Sequence, residues 1–291
     1  MHSYSEKTVE KGRISNDKRK KKIYILNGAA GSGKDTQCKL VSEKYYFPII
    51  TISTLLKEYI KENEQIEENT NMCDKYAYDL GEKENEKKKR KKEDLENIKK
   101  CMNDGSLVSD DVVMRIFLNR LEKYLNNKET CSGILINGFP RTYEQALLFA
   151  KNDIEITNFI NIQVKKDTLL KRINNRMADP ITNINYSAEG IELFLKKKKG
   201  AILTSEEESL LISQGKEFQN LNDEIIDRLV RRADDKEATF NKRFDVYEKN
   251  KHKIESLFLN ACRDVDGNGS IDQTFAQICA IIGPAPQDPP T

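Results

Sequence analysis

Apolar residues in this chain come in short bursts. Ile23-Tyr24-Ile25-Leu26 runs straight into a glycine-rich turn, and residues 48–52, 133–137, 159–164 and 261–265 have the same short, β-rich character. Unbroken apolar runs of this length, closed by turn residues, predict strands buried on both faces. Helical patterns separate them. Strand alternating with helix predicts an α/β fold with a parallel central sheet flanked by helices, because right-handed crossovers lay the helices over the sheet.

Two stretches break the rhythm. Residues 61–100 carry Lys87-Lys88-Lys89-Arg90-Lys91-Lys92 among many glutamates and read as a low-complexity insertion, a solvated helix or a loop. Residues 179–221, with Lys196 to Lys199 and Glu206 to Glu208, show no strand-like core pattern and suit a mobile lid. Beyond them, Ile225, Ile226, Leu229 and Val230, then Phe240, Phe244 and Tyr247, recur at helical spacing and predict two core-facing helices. The expected domains are a basic mobile arm (1–22), one folded domain (23–282) and a Pro-rich tail (283–291).

Composition narrows the function classes. At 37% hydrophobic and 33% charged, the 291 residues can bury a core while carrying polar insertions. Forty-nine Lys plus Arg against 47 Asp plus Glu leave a formal +2, so no global field argues for nucleic acid or membrane. No apolar run approaches the roughly 18 residues of a membrane span. The expectation is a soluble, cytoplasmic protein, with Lys18 to Lys22 offering a nuclear-import signal as a second address. The six cysteines are scattered without a CxxC pair and His2 and His252 are the only imidazoles, which argues against zinc and against a Ser-His-Asp triad.

The strongest motif follows the first strand: Gly28-Ala29-Ala30-Gly31-Ser32-Gly33-Lys34-Asp35-Thr36. It is a GxxxxGK turn between a buried strand and a helix. Glycines there let backbone N–H groups close on phosphate oxygens, the helix N-terminus adds positive potential, and the lysine reaches the outer phosphates. Asp35 departs from the general motif, which has Ser or Thr. Its charge opposes phosphate unless it faces away or helps to hold Mg²⁺.

Three further segments join this turn: Gly138-Phe139-Pro140-Arg141-Thr142 after the third strand, Arg172 and Arg176 four residues apart before Asp179-Pro180-Ile181-Thr182 and Tyr186, and Arg232-Ala233-Asp234-Asp235-Lys236-Glu237 with Arg243. In this order, with Thr36 and Gln37 closing the turn, they resemble the nucleoside monophosphate kinases, adenylate kinase most closely, over roughly residues 22–282. The resemblance implies a P-loop NTPase fold with an acceptor-binding arm (53–106, including the Lys-rich insertion) and a lid (177–231). It implies transfer of the γ-phosphoryl group of Mg-ATP to a nucleoside monophosphate; a monomer is expected separately, because nothing in the pattern advertises an apolar assembly face. Such a reaction needs no general base, because the acceptor oxygen is already anionic; it needs cations that align two polyanions away from water.

By the same resemblance, Lys34 grips the transferring phosphate, Arg141 the acceptor phosphate and Arg172 the donor nucleotide. Arg176, Arg232 and Arg243 hold phosphates as the lid closes, and Asp234 and Asp235 are hinge carboxylates. Asp234-x-x-Glu237 also has the form of a helix cap. Gly138, Ser53, Thr54, Lys57, Leu107 and Val108 line the acceptor side, and the turn at Asn268 meets the donor base. Gln145, whose amide both donates and accepts, suits the adenine edge, so AMP is the favoured acceptor.

Departures keep other functions open. Asn137 stands where the family has a carboxylate that organises Mg²⁺ through water, and Ser53-Thr54-Leu55-Leu56-Lys57 is shorter than its family counterpart, with Lys for Arg. A catalytically weakened nucleotide-binding scaffold is one alternative, a UMP/CMP or GTP-using kinase another. Asp264 to Asp272 imitates a calcium loop, but Phe275 occupies the position of the required bidentate Glu, so no calcium is expected and the segment reads instead as a strand and turn.

Overall fold

A computed structural model gives the fold and describes residues 21–73, 82–104, 108–127, 132–182, 184–214, 218, 220–232 and 235–286. Strand β1 (Lys22–Asn27) lies at the centre, between β3 (Gly133–Asn137) and β4 (Asn158–Gln163). β2 (Ile49–Thr51) and β7 (Cys262–Asp266) complete a sheet of order β2-β3-β1-β4-β7 in which every pairing is parallel. The five strands lie within a residue or two of the segments predicted from sequence.

Strand periodicity assigns successive residues to opposite faces. Ile23, Ile25, Ile134, Ile136 and Phe159 enter one apolar cluster. Helices α2 (Ile52–Cys73), α4 (Asp110–Asn126) and α5 (Tyr143–Lys151) cover that face. Tyr24, Leu26, Leu135, Ile160 and Ile162 enter the other, closed by α1 (Lys34–Tyr45) and α11 (Ile271–Ile282). Gly138-Phe139 leaves β3 with Phe139 packed into the first cluster, against Phe117 at 5.1 Å and Phe149 at 5.6 Å between ring centroids. The core therefore anchors the segment that carries Arg141. Phe117→Ala is expected to cost about 3–5 kcal/mol by opening a cavity among these rings. Urea unfolding checks it, with a lowered midpoint at unchanged slope.

The Lys-rich stretch lies in helix α3 (Glu82–Asp104). Residues 89–93 are exposed, while Leu95 and Ile98 are buried and Ile98 and Cys101 join the main core. Three apolar residues at helical spacing were hidden by the surrounding charge.

The second interruption is also built differently from expectation. β5 (Arg176–Ala178) and β6 (Asn185–Ser187) form an antiparallel hairpin, followed by α7 (Ala188–Lys198), α8 (Ser205–Ser213) and α9 (Asp223–Arg228). Tyr186, Ile191, Phe218 and Leu221 make a small core there, backed by Ile225, Ile226 and Leu229. The helix expected through Val230 ends early: Leu229 is its C-cap, and Val230 bridges to Ala178 by hydrogen bonds of 2.8 and 3.0 Å. Helix α10 (Glu237–Leu257) does face inward, with Phe240 buried against Leu169 and Ile173 of α6 (Lys166–Asn174).

Residues 1–20 and 287–291 of the expected arm and tail lie outside the described residues. Lys21 and Lys22 belong to the folded part: the Lys21 ammonium donates to the carbonyls of Tyr124 and Asn127, and Lys22 opens β1. Gly283 is tied down by the Tyr45 hydroxyl at 2.7 Å.

Candidate active site

The glycine turn sits at the C-terminal end of β1, where a parallel sheet leaves its crevice. Gly31 has φ +84°, and a Cβ there would lie 3.0 Å from Ile173 and 3.2 Å from the Leu169 carbonyl, so α6 can pack on the turn only because the side chain is absent. Ser32 Oγ is buried and finds no hydrogen-bond partner among the described residues. A buried hydroxyl left in this way suits a phosphate oxygen. The Lys34 ammonium bends back to the Ala29 carbonyl at 3.3 Å.

On the neighbouring strand, Gly138 has φ +61°, and its missing Cβ would stand 3.0 Å from Lys34 Cε. The Arg141 Nε donates to the Gly138 carbonyl at 2.9 Å, which fixes the guanidinium beside the lysine. Gln145 is held at both ends of its amide: Oε1 accepts from the Arg141 N–H at 2.8 Å and Nε2 donates to Asp110 at 2.8 Å.

The charges converge. Burial pushes Lys34 down to about 8, Asp35 acts against that, and Arg141 and Arg243 push it further down. Arg141 is lowered by burial and by Arg243, with Asp35 opposing. Burial works against ionisation of Asp35, but Lys34, the hydrogen bond from Asn137, Arg232 and Arg176 outweigh it, so its carboxyl lies below the usual range. Lys34, Arg141 and Arg243, from the glycine turn, the β3–α5 loop and α10, thus feel one another, while Arg176 at the start of β5 and Arg232 after α9 act on Asp35 beside them. A cluster that depresses its own lysine is short of negative charge, which a polyphosphate would supply.

Arg172 lies at the far side of the turn, lowered by burial, with Nη2 donating to the Gly267 carbonyl at 2.8 Å. Arg176 makes a two-pronged pair with Asp235, Nε to Oδ2 at 2.9 Å and Nη2 to Oδ1. Asp234 and Leu107 lie outside the described residues. Val108 is packed into the main core, and Ser53, Thr54 and Lys57 are exposed on the first turns of α2. The Asn268 side chain is spent on structure, accepting from the Lys165 N–H and donating to Asp266. The segment that imitates a calcium loop is the end of β7, a turn, and α11 capped by Ser270.

Three contacts escaped the sequence. Asp179, fully buried, takes Arg228 Nε and Nη2 at 2.9 and 2.8 Å and also the Ile181 N–H and Thr182 hydroxyl. Its carboxyl is held well below the ordinary range, first by Arg228. Asp110 orients Gln145. Asn137 Nδ2 donates to Asp35 Oδ1 at 2.8 Å and to Thr51 Oγ1 at 3.3 Å, while its own Oδ1, in a residue only 7% exposed, has no partner among the described residues.

Comparison with known proteins places the chain in a family. A family model described as Adenylate kinase matches residues 79–261. The chain is 51% identical over 245 residues to adenylate kinase 2 of Plasmodium falciparum (isolate 3D7), covering 84% of this chain and 82% of that one. It is 27% identical over 259 residues to a chloroplastic adenylate kinase of Zea mays, covering 89% and 90%. It is also 27% identical over 267 residues to an adenylate kinase of Caldanaerobacter subterraneus subsp. tengcongensis, covering 89% and 96%. The glycine turn precedes the part matched by the family model, so its assignment stands on its own geometry.

Proposed function

Because this chain belongs to the adenylate kinase family, we propose that the cleft between the glycine turn and the β3–α5 loop carries out the reaction ATP + AMP = 2 ADP, with Lys34 and the surrounding arginines in the working roles. The chain is a nucleoside monophosphate kinase; the scaffold and the UMP/CMP or GTP alternatives are not favoured. The observation that carries the assignment of the site is that Lys34, Arg141 and Arg243 perturb one another while Arg232 and Arg176 act on the adjacent Asp35, so that distant segments meet at the glycine turn.

Lys34 and Arg141 hold the transferring and acceptor phosphates in line, and Arg172 holds the donor from the α6 side. Gln145, its amide set by Asp110 and the Arg141 backbone, reads the AMP base. Residues 53–106 form the acceptor arm and 177–231 the lid, whose closure brings Arg176 and Arg232 over the phosphates and excludes water. Mg²⁺ arriving with ATP neutralises charge on the phosphates. Asp35, Asn137 and Thr51 offer oxygens of the hard type such a cation takes, and the orphaned Asn137 Oδ1 fits that use.

The protein acts as a cytoplasmic monomer on this reading. No described helix is long and apolar enough to cross a membrane, and the exposed Ile181, Ile202, Ile212 and Leu259 stand on different segments. The test is diphosphate production with ATP or GTP as donor and AMP, CMP, UMP or GMP as acceptor. AMP with ATP is expected to give the highest kcat/KM. Nucleotide binding without product from any acceptor would overturn the enzymatic assignment.

A further inference from the structure

We propose that Asp35 is the carboxylate that positions the donor nucleotide's divalent cation, acting with Asn137, so that the charge missing from the end of β3 is supplied by the first turn of α1. This deepens the kinase assignment and rests on it.

Four observations carry the inference. Asn137 ends β3 directly opposite Thr51 of β2 and one residue before Gly138, at the floor of the cleft. A neutral amide there holds a hard cation less firmly than a carboxylate would. Asp35 lies 102 residues away in the chain but 2.8 Å away in space, hydrogen-bonded to Asn137 Nδ2. That bond decides how the amide is turned: with both N–H groups spent on Asp35 and Thr51, Asn137 Oδ1 remains, buried and unpartnered. One carboxylate, one amide oxygen and one hydroxyl therefore gather beside the lysine that meets the phosphates. A cation reached directly or through water is the kind of ligand that satisfies such oxygens.

The arrangement also accounts for the acidic residue in a turn made for anions. Asp35 occupies the first turn of α1, where the helix N-terminus favours a negative charge. Asn137 and Asp35 together keep one negative charge at the end of the sheet; exchanging them should move that charge by one hydrogen bond only.

The experiment is equilibrium binding of a non-hydrolysable ATP analogue, with and without Mg²⁺, by calorimetry. For the unaltered protein, Mg²⁺ is expected to tighten binding. Asp35→Asn is expected to lose about tenfold of that gain while binding the metal-free analogue at least as well. The double exchange Asp35→Asn with Asn137→Asp is expected to restore the gain, because the carboxylate returns to the same small group of oxygens. Full retention of the Mg²⁺-dependent gain in Asp35→Asn overturns the inference. So does an equal weakening with and without metal, which marks a structural role, or a folded double variant that restores nothing. If the analogue binds none of the proteins under either condition, the donor-site assignment falls, and this inference with it.

Discussion

Arg141→Ala is expected to lower kcat/KM for AMP by about 10²–10³, with KM for AMP rising and kcat falling together. Arg141 stands on a loop pinned to the core by Phe139, and its Nε is committed to the Gly138 carbonyl at 2.9 Å, so the guanidinium is already placed before substrate arrives. Removing it loses charge-assisted bonds to the acceptor phosphate and the alignment they enforce. Arg141→Lys should recover only part of the loss, since an ammonium keeps the charge but not the planar fork. Steady-state kinetics with AMP varied at saturating ATP measures both effects. An undiminished alanine variant would remove Arg141 from the site.

Lys34→Met is expected to reduce kcat by on the order of 10²–10³, yet to stabilise the ligand-free protein. The second effect follows from the sign of the perturbation. Burial, Arg141 and Arg243 bring Lys34 down to about 8, below the value of about 10.4 for an unfolded lysine. Between those values the unfolded chain binds more protons, so the lysine's contribution to stability rises with pH across that window, and near neutrality the folded state carries the cost of an uncomfortable cation. Methionine removes the cost. Phosphates reverse it: binding of nucleotide above about pH 8 should take up a proton in the native enzyme and not in Lys34→Met. Calorimetry in buffers of different ionisation enthalpy reads that proton directly, and scanning calorimetry at neutral pH reads the midpoint. A variant with a lowered midpoint and unchanged proton uptake would show that Lys34 is not under this strain.

The sheet was legible because each buried strand is a continuous apolar word set between glycines and polar residues, and the glycine turn because its chemistry is local. What stayed hidden depends on meeting across distance. Asp179 and Arg228 are 49 residues apart, and Asp35 and Asn137 are 102 apart; neither spacing carries a period that a sequence can display. Tyr186, Ile191, Phe218 and Leu221 come from a strand, a helix and two positions between α8 and α9, so no single repeat announced their cluster. Val230 shared helical spacing with its neighbours, but pairing with Ala178 offered its backbone a better partner than another helical turn. In α3 the opposite error arose: the run of charge foretold the exposure of residues 89–93 and was silent about Leu95 and Ile98 just after them.

The hairpin β5–β6 and its three helices bury a private oil drop, separate from the residues that line the sheet. The proposed lid (177–231) could then swing without wetting hydrocarbon: the Ala178–Val230 backbone pair closes its base and travels with it, and the joint beside it is the polar Arg176–Asp235 fork. Its tempo, and with it the escape of ADP, would then respond to salt and to charge substitutions at the joint far more than to the firmness of the main body.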